Sequence, residues 1–128
     1  MRFLLDTHAF LWFILNDKSL SPTARQHIID PQNMIEVSPA SYWEIAIKIA
    51  IRKFSLNQPY QAFLEDQITK NSFLILPIEI KHTAVLTTLP MHHRDPFDRL
   101  LVAQALVEQI AIISGDPLLD AYGVQRIW

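Results

Sequence analysis

Four carboxylates occupy positions from which a folded α/β domain could bring them together. Asp6 and Asp116 follow short apolar runs, so both are predicted to lie at the C-terminal tips of buried strands. Asp98 falls in the first turn of a predicted helix, and Glu44 lies inside another. Ligand sites in open α/β sheets lie just beyond the carboxyl ends of the strands. Because carboxylates without cysteine suit a hard cation, the pattern predicts Mg²⁺ or Mn²⁺ at this edge.

The chemistry that such a site would support is metal-assisted hydrolysis of a phosphodiester. A divalent cation positions water and withdraws charge from a phosphate. Each acid also has an ordinary structural explanation, since Asp6, Asp98 and Asp116 could cap or open helices and Glu44 could pair with Lys48. Taken together, however, clustered carboxylates repel one another unless a cation lies between them. The joint pattern therefore favours a metal site.

The helices that would carry these acids are marked by proline. Four of the prolines mark predicted helix starts, where they directly follow Ser21, Ser38, Asp95 and Asp116. Serine and aspartate are favoured N-caps, and proline is favoured at the first helical position. Apolar patterning extends the prediction to six helical segments. These are residues 7–15, 22–29, 39–53, 60–71, 79–89 and 96–109.

Short apolar runs between the helices have the length of strands. They cover residues 3–5, 34–37, 73–76, 110–113 and 124–127. The runs are continuous, as expected of strands buried on both faces of a parallel sheet. Strands that alternate with helices predict a three-layer α/β/α sandwich with a parallel sheet of four or five strands. The chain of 128 residues predicts a single domain over residues 1–128.

Composition excludes several classes of protein. The net charge of −2 argues against a generic basic nucleic-acid binder, and the absence of cysteine suits the reducing cytoplasm. No apolar stretch reaches the length of a membrane span. Met1 and Arg2 lead directly into a strand-like run, so we expect no signal peptide.

The first helical segment is apolar on every side. A helix that packs on a sheet needs only one apolar stripe, so the other face is expected to meet a partner. Trp12 and either Phe13 or Phe10 are the predicted anchors. With half of the residues hydrophobic, we expect this surface to serve a homodimer or a second protein.

Four strings in this order resemble the PIN domain, most closely the VapC-type toxins of bacterial toxin–antitoxin pairs. They are residues 4–8 (LLDTH), 41–48 (SYWEIAIK), 92–105 (HHRDPFDRLLVAQA) and 113–117 (ISGDP). The resemblance covers essentially the whole chain. It implies a PIN-like fold, a metal-dependent endoribonuclease and a cognate antitoxin that blocks the site.

The resemblance also implies roles for individual residues. The family's acids match Asp6, Glu44, Asp98 and Asp116. Its hydroxyl positions beside the site match Thr7 and Ser114, and its basic positions near the pocket match Lys48 and Arg99. Lys48 and Arg99 would offset carboxylate charge or hold phosphate. The sequence departs from the family at Arg52, where many relatives carry glycine.

Neighbouring residues give weaker signals. We interpret Asp95 as a helix cap and expect His92, His93 and Arg94 to form a basic lip that meets the phosphate backbone. A zinc site at the two histidines is disfavoured, because zinc usually takes a third protein ligand. Asp120 is a weaker acid candidate, and no role is assigned to His8.

Three other functions are consistent with parts of the pattern. The acid cluster does not distinguish ribose from deoxyribose, so a structure-specific DNA nuclease is an alternative function. A non-catalytic, receiver-like signalling domain also places acids around Mg²⁺, but it requires paired acids after the first strand and a lysine after a late one. Asp6 stands alone, and no lysine accompanies Asp116. A degenerate PIN domain that only binds is disfavoured by the complete set of four acids.

Overall fold

A computed structural model describes all residues, 1–128. The strands are β1 (Arg2–Leu5), β2 (Met34–Val37), β3 (Leu74–Ile75), β4 (Ala111–Ile113) and β5 (Arg126–Ile127). The helices are α1 (Thr7–Ile14), α2 (Pro22–Ile29), α3 (Pro39–Ala50), α4 (Tyr60–Lys70), α5 (Ile80–Leu86) and α6 (Pro96–Glu108), followed by a 3₁₀ helix (Pro117–Tyr122). No helix is both long enough and apolar enough to cross a bilayer.

The sheet confirms the predicted parallel architecture. Its order is β3-β2-β1-β4-β5, and every neighbouring pair is parallel. Side chains of successive strand residues point to opposite faces. Accordingly, Phe3 and Leu5 join one buried cluster, whereas Leu4 joins a second one on the other face. Helices cover both faces, which gives the three-layer sandwich.

The caps predicted before proline are confirmed. The Ser21 side chain accepts from the Ala24 amide at the start of α2, and Ser38 caps α3. Asp95 caps α6, and Asp116 caps the 3₁₀ helix. These ends are correctly predicted because the capping hydrogen bonds span only two or three residues.

Other boundaries are shorter than predicted. The edge strands contain only Leu74–Ile75 and Arg126–Ile127, and α5 ends at Leu86 rather than at residue 89. Helix α3 ends at Ala50, and Arg52 takes a φ of 61°. This left-handed conformation suits glycine better than arginine.

The chain order creates a crevice at the middle of the sheet. Strand β2 pairs on one side of β1, and the late strand β4 pairs on the other. In open α/β sheets the site lies where the strand order reverses in this way, beyond the carboxyl ends. Asp6 follows β1, and Asp116 comes three residues after β4. The fold therefore brings both acids to the crevice.

The predicted free face of α1 is partly covered within the chain. Phe10 is fully buried, Trp12 contacts Trp128 and Phe13 contacts Phe73. Trp12 and Phe13 nevertheless remain half-buried. The chain therefore covers only part of this face, and a partner contact at α1 stays a prediction.

Candidate metal centre

Asp6 and Asp116 are joined through Ser114, the residue that follows β4. The Asp6 amide donates to the Ile113 carbonyl at 3.1 Å, which continues the β1–β4 ladder past the strand end. The Ser114 hydroxyl accepts from the Asp116 amide at 3.0 Å, and hydrogen bonding from Ser114 acts against burial by lowering the pKa of Asp6. Ser114 is fully buried, so it fixes both acids at the rim of the sheet.

Each of these acids uses one carboxylate oxygen as a cap. Asp6 Oδ1 accepts from the Ala9 amide at 2.7 Å, at the start of α1. Asp116 Oδ1 accepts from the Leu118 amide at 3.0 Å. The backbone thereby orients each carboxylate and leaves its second oxygen for the site.

Asp98 reaches the same pocket from the first turn of α6. Asp95 caps that helix, accepting from the amides of Phe97 at 2.8 Å and of Asp98 at 3.3 Å. This cap confirms the interpretation of Asp95 as a structural residue. Asp98 is thus held by the helix start, and its own carboxylate is left to the pocket.

Glu44 is buried on α3 and only partly paired. Its Oε2 forms an ion pair with Lys48 Nζ at 2.9 Å, one helical turn away. Its Oε1 is buried and has no hydrogen-bond partner. A buried carboxylate oxygen without a partner is costly, so this atom marks an incomplete polar site.

Burial and mutual repulsion raise the pKa values of two of the acids. The pKa of Asp98 is raised from 3.8 to about 7, first by burial and then by repulsion from Asp95, Glu44 and Asp6, while His93 opposes the shift. Burial also raises the pKa of Asp6, with Asp116 adding repulsion. The pocket therefore resists holding all of its acids ionised without a compensating cation.

His93 is the pocket residue that the sequence did not place. Its Nε2 lies 2.8 Å from Asp116 Oδ2 and 3.3 Å from Asp98 Oδ2. The Asp95 amide donates to Nδ1 at 3.0 Å, so Nε2 carries the proton of the neutral ring and donates it to Asp116. This corrects the basic lip expected for His93. The His93 amide donates to the Tyr122 hydroxyl at 2.8 Å, a contact between residues distant in the chain, so no local sequence signal marks the inward ring.

The donor set fits a divalent cation. Carboxylate oxygens of Asp98 and Asp116 lie within 4.8 Å of each other and of His93 Nε2, which serves them as a hydrogen-bond donor rather than as a metal ligand. The buried Glu44 Oε1 supplies an unpaired oxygen, and carboxylate oxygens are the ligands that Mg²⁺ and Mn²⁺ take. Of the four predicted acids, Asp98 and Asp116 belong to this group, whereas Asp6 and Glu44 lie outside its spacing, so their part in holding the ion stays a prediction.

The predicted basic residues have different surroundings. Lys48 is paired with Glu44, whereas Arg94 is exposed and makes no ion pair within the chain. Arg99 donates to the carbonyls of Leu89 and Pro90 and to the Tyr122 hydroxyl, at 2.8–3.2 Å. Three of its donors thus brace the loop before α6.

The remaining candidates lie around the cluster. Thr7 is buried and donates to the Ser41 hydroxyl at 3.1 Å, which ties α1 to α3 rather than to an acid. Asp120 pairs with Arg126 through two hydrogen bonds at the surface. His92 is exposed and contacts the Tyr122 ring.

Comparison with known proteins gives a family and a fold. The model of the PIN domain family matches residues 3–124. A comparison with curated protein sequences finds no significant match.

Solved structures that are similar to this chain include toxin–antitoxin complexes of the VapBC type. The chain is similar to VapBC2 from Rickettsia felis bound to a promoter DNA fragment, with a TM-score of 0.73, 14% identity and 98% and 97% of the two chains covered. VapBC-1 from nontypeable Haemophilus influenzae is similar with a TM-score of 0.65 and 17% identity, over 98% of this chain and 96% of that one. FitAcB from Neisseria gonorrhoeae has a TM-score of 0.64 and 17% identity, over 97% of this chain and 95% of that one.

Proposed function

This chain belongs to the PIN domain family, and from that premise we propose that it is a Mg²⁺- or Mn²⁺-dependent endoribonuclease, the toxin of a toxin–antitoxin pair. PIN domains are generally nucleases that use divalent metal ions. To this family property the proposal adds RNA as the substrate, Mg²⁺ or Mn²⁺ as the metal ion and an antitoxin as the partner. Because we propose RNA as the substrate and an antitoxin as the partner, we expect the protein to act in the cytoplasm.

The observation that carries the proposal is the uncompensated charge of the pocket. Glu44 Oε1 is buried without a partner, and burial, followed by repulsion from neighbouring acids, raises the pKa of Asp98 to about 7. A cation among these carboxylates would satisfy the free oxygen and remove the repulsion. A purely structural cluster has no reason to keep both features.

The chain's own residues would prepare the phosphodiester for attack by water. When bound, the ion would lower the pKa of water and offset phosphate charge. Asp6, Asp98 and Asp116 would hold it, with Glu44 direct or through water. Ser114 would orient Asp6 and Asp116, while Thr7 would keep α1 against α3. In-line attack breaks the bond between phosphorus and O3′, which leaves 5′-phosphate and 3′-hydroxyl ends.

Phosphate contacts are proposed for the basic residues nearest the pocket. Arg94 is exposed and unpaired, and Lys48 lies beside Glu44. Arg99 keeps two donors beyond those that brace the loop. Such contacts release counterions, so RNA affinity should fall as salt rises.

The test is cleavage of total RNA beside single- and double-stranded DNA of matched length. We expect RNA to be cut in Mg²⁺ or Mn²⁺ and to stay intact in excess EDTA. Asp6→Asn and Asp98→Asn should each lower the rate by orders of magnitude, whereas Asp66→Asn on the exposed face of α4 should not. Full activity in EDTA would refute metal dependence, and equal cutting of DNA would favour the DNA nuclease.

An antitoxin and a second copy of the chain are the proposed protein partners. Support for the antitoxin comes from the structural neighbours, which are toxin–antitoxin complexes. Support for a homodimer comes from the exposed apolar residues of α3 and the turn after it, Trp43 at 61% and Ile51 at 54% exposure. Sedimentation of the purified chain should give a dimer. A monomer at micromolar concentration would refute that half of the proposal.

A further inference from the structure

A cleft beside the metal centre is lined by the acids at one end and by aromatic rings along its wall. Its volume is about 410 Å³, within the range of small-ligand sites. Asp6 and Asp116 form the acidic end. The remaining lining residues are His8, Trp12, Ser19, Gly115 and Trp128.

The aromatic wall consists of three rings that neighbour one another in space, in the order Trp128, Trp12 and His8. The Trp12 and Trp128 centroids are 5.8 Å apart with an interplanar angle of 54°. The His8 ring lies 5.3 Å from Trp12 at 41°. Both tryptophans are half-buried, and His8 is exposed. The wall therefore offers accessible π surface next to the carboxylates.

Gly115 holds one of these rings against the metal site. A Cβ at this position would lie 2.9–3.3 Å from three atoms of the Trp128 indole. The indole thus packs directly on the backbone between Ser114 and Asp116. A larger residue would have to push the ring away, so the glycine fixes the distance between the aromatic wall and the acids.

We propose that this cleft is a subsite for an unpaired nucleobase of the RNA, next to the phosphate held at the acids. The inference rests on the proposed function and extends it to the substrate's conformation. Bases stack on aromatic side chains with little regard to sequence. No lysine or arginine lines the cleft, so it suits the neutral, planar part of a nucleotide rather than another phosphate. A base already paired in a duplex cannot enter.

The test measures how tightly single-stranded RNA binds to Asp98→Asn protein, which holds the RNA without cutting it. The probes are oligoadenylate and oligouridylate of about eight nucleotides, and an oligomer of equal length that lacks bases. Trp12→Ala should weaken binding of both RNAs about fivefold to 150-fold, the equivalent of about 1–3 kcal/mol per stacked base. Trp12→Phe should keep most of the affinity.

Two further variants separate stacking from folding. Gly115→Ala keeps every ring but displaces the Trp128 indole, so it should also weaken RNA binding. Phe13→Ala removes the next ring along α1, which packs on Phe73 outside the cleft, and should leave RNA affinity within about twofold once folded protein is counted. The oligomer without bases should bind wild type weakly, and Trp12→Ala should weaken it no further.

Several results would overturn the subsite. One is an equal loss of affinity for the oligomer without bases. Another is an equal loss of affinity of Trp12→Ala for duplex RNA. A third is a change in sedimentation of Trp12→Ala without any change in RNA affinity, which would make the wall a protein interface. Cleavage of the same RNA by wild type in Mg²⁺ is measured in parallel. Cleavage without base-dependent binding overturns this inference alone, whereas base-dependent binding without cleavage overturns the nuclease proposal alone.

Discussion

Replacing Asp98 by asparagine should stabilise the metal-free protein, and the gain should grow with pH. Burial and the neighbouring Asp95, Glu44 and Asp6 raise the pKa of Asp98 from 3.8 to about 7, although His93 opposes them. Ionising this carboxyl is therefore harder in the folded protein than in the unfolded chain. Asparagine keeps the shape of the side chain and removes the ionisation.

The size of the gain follows from linkage between protonation and folding. A group whose pKa is raised by folding stabilises the protein fully below its unfolded pKa, and this contribution is lost as pH rises through the folded pKa. Each pKa unit corresponds to about 1.36 kcal/mol. For a rise from 3.8 to about 7, the gain from Asp98→Asn should be roughly 2 kcal/mol at pH 5 and roughly 4 kcal/mol at pH 8. Since the Asp98 side chain is 20% exposed, these values are upper estimates.

Urea unfolding in EDTA at pH 5 and pH 8 measures this difference. The slope of free energy against urea should match between wild type and variant, so that the midpoint shift reports stability. Asp66→Asn, on the exposed surface, is the control and should change stability little at either pH. Saturating Mn²⁺ should stabilise wild type more than the variant, because only a folded site with Asp98 holds the ion well. A variant that is less stable at pH 8, or a gain that is the same at both pH values, would refute the reasoning.

Three further substitutions test individual contacts. His93→Phe should weaken Mn²⁺ binding about 10–100-fold in calorimetry, because Asp116 loses the Nε2–H donor. The control His92→Phe should leave Mn²⁺ affinity unchanged. Unchanged affinity of His93→Phe would mean that His93 does not orient the acids. Arg52→Gly should raise the free energy of unfolding by about 0.5–1 kcal/mol, because it relieves a left-handed φ, and a loss in urea unfolding would contradict this. Arg99→Ala should cost about 1–3 kcal/mol in the same assay, because it frees three acceptors; lost RNA affinity at unchanged stability would assign Arg99 to phosphate alone.

The sequence located the acids because the relevant signals are local. A short apolar run defines the strand before Asp6, and an aspartate before proline defines the helix start that carries Asp98. These features depend on neighbours in the chain. The general position of the site then followed from a rule about parallel sheets, and the order of the strands was not needed.

The sequence did not locate the aromatic wall or the inward turn of His93. Trp128 packs on Gly115, and that contact depends on β5 pairing beside β4. His93 turns inward because Arg99 and Tyr122 hold the loop before α6. Such contacts join residues that are distant in the chain, and no periodicity records them. The contact of Trp12 with Trp128, at the far end of the sequence, was not predicted for the same reason.

The two explanations considered for the strand-tip acids prove to be compatible in the structure. Asp6 and Asp116 each accept a backbone amide through Oδ1, which is the capping role. A carboxylate has a second oxygen, and that of Asp116 contacts His93 beside Asp98. Capping therefore gives each acid a fixed orientation without consuming its capacity to bind a cation. Because rigid ligands bind a metal more tightly than mobile ones, the helix caps are part of what would make this cluster a metal site.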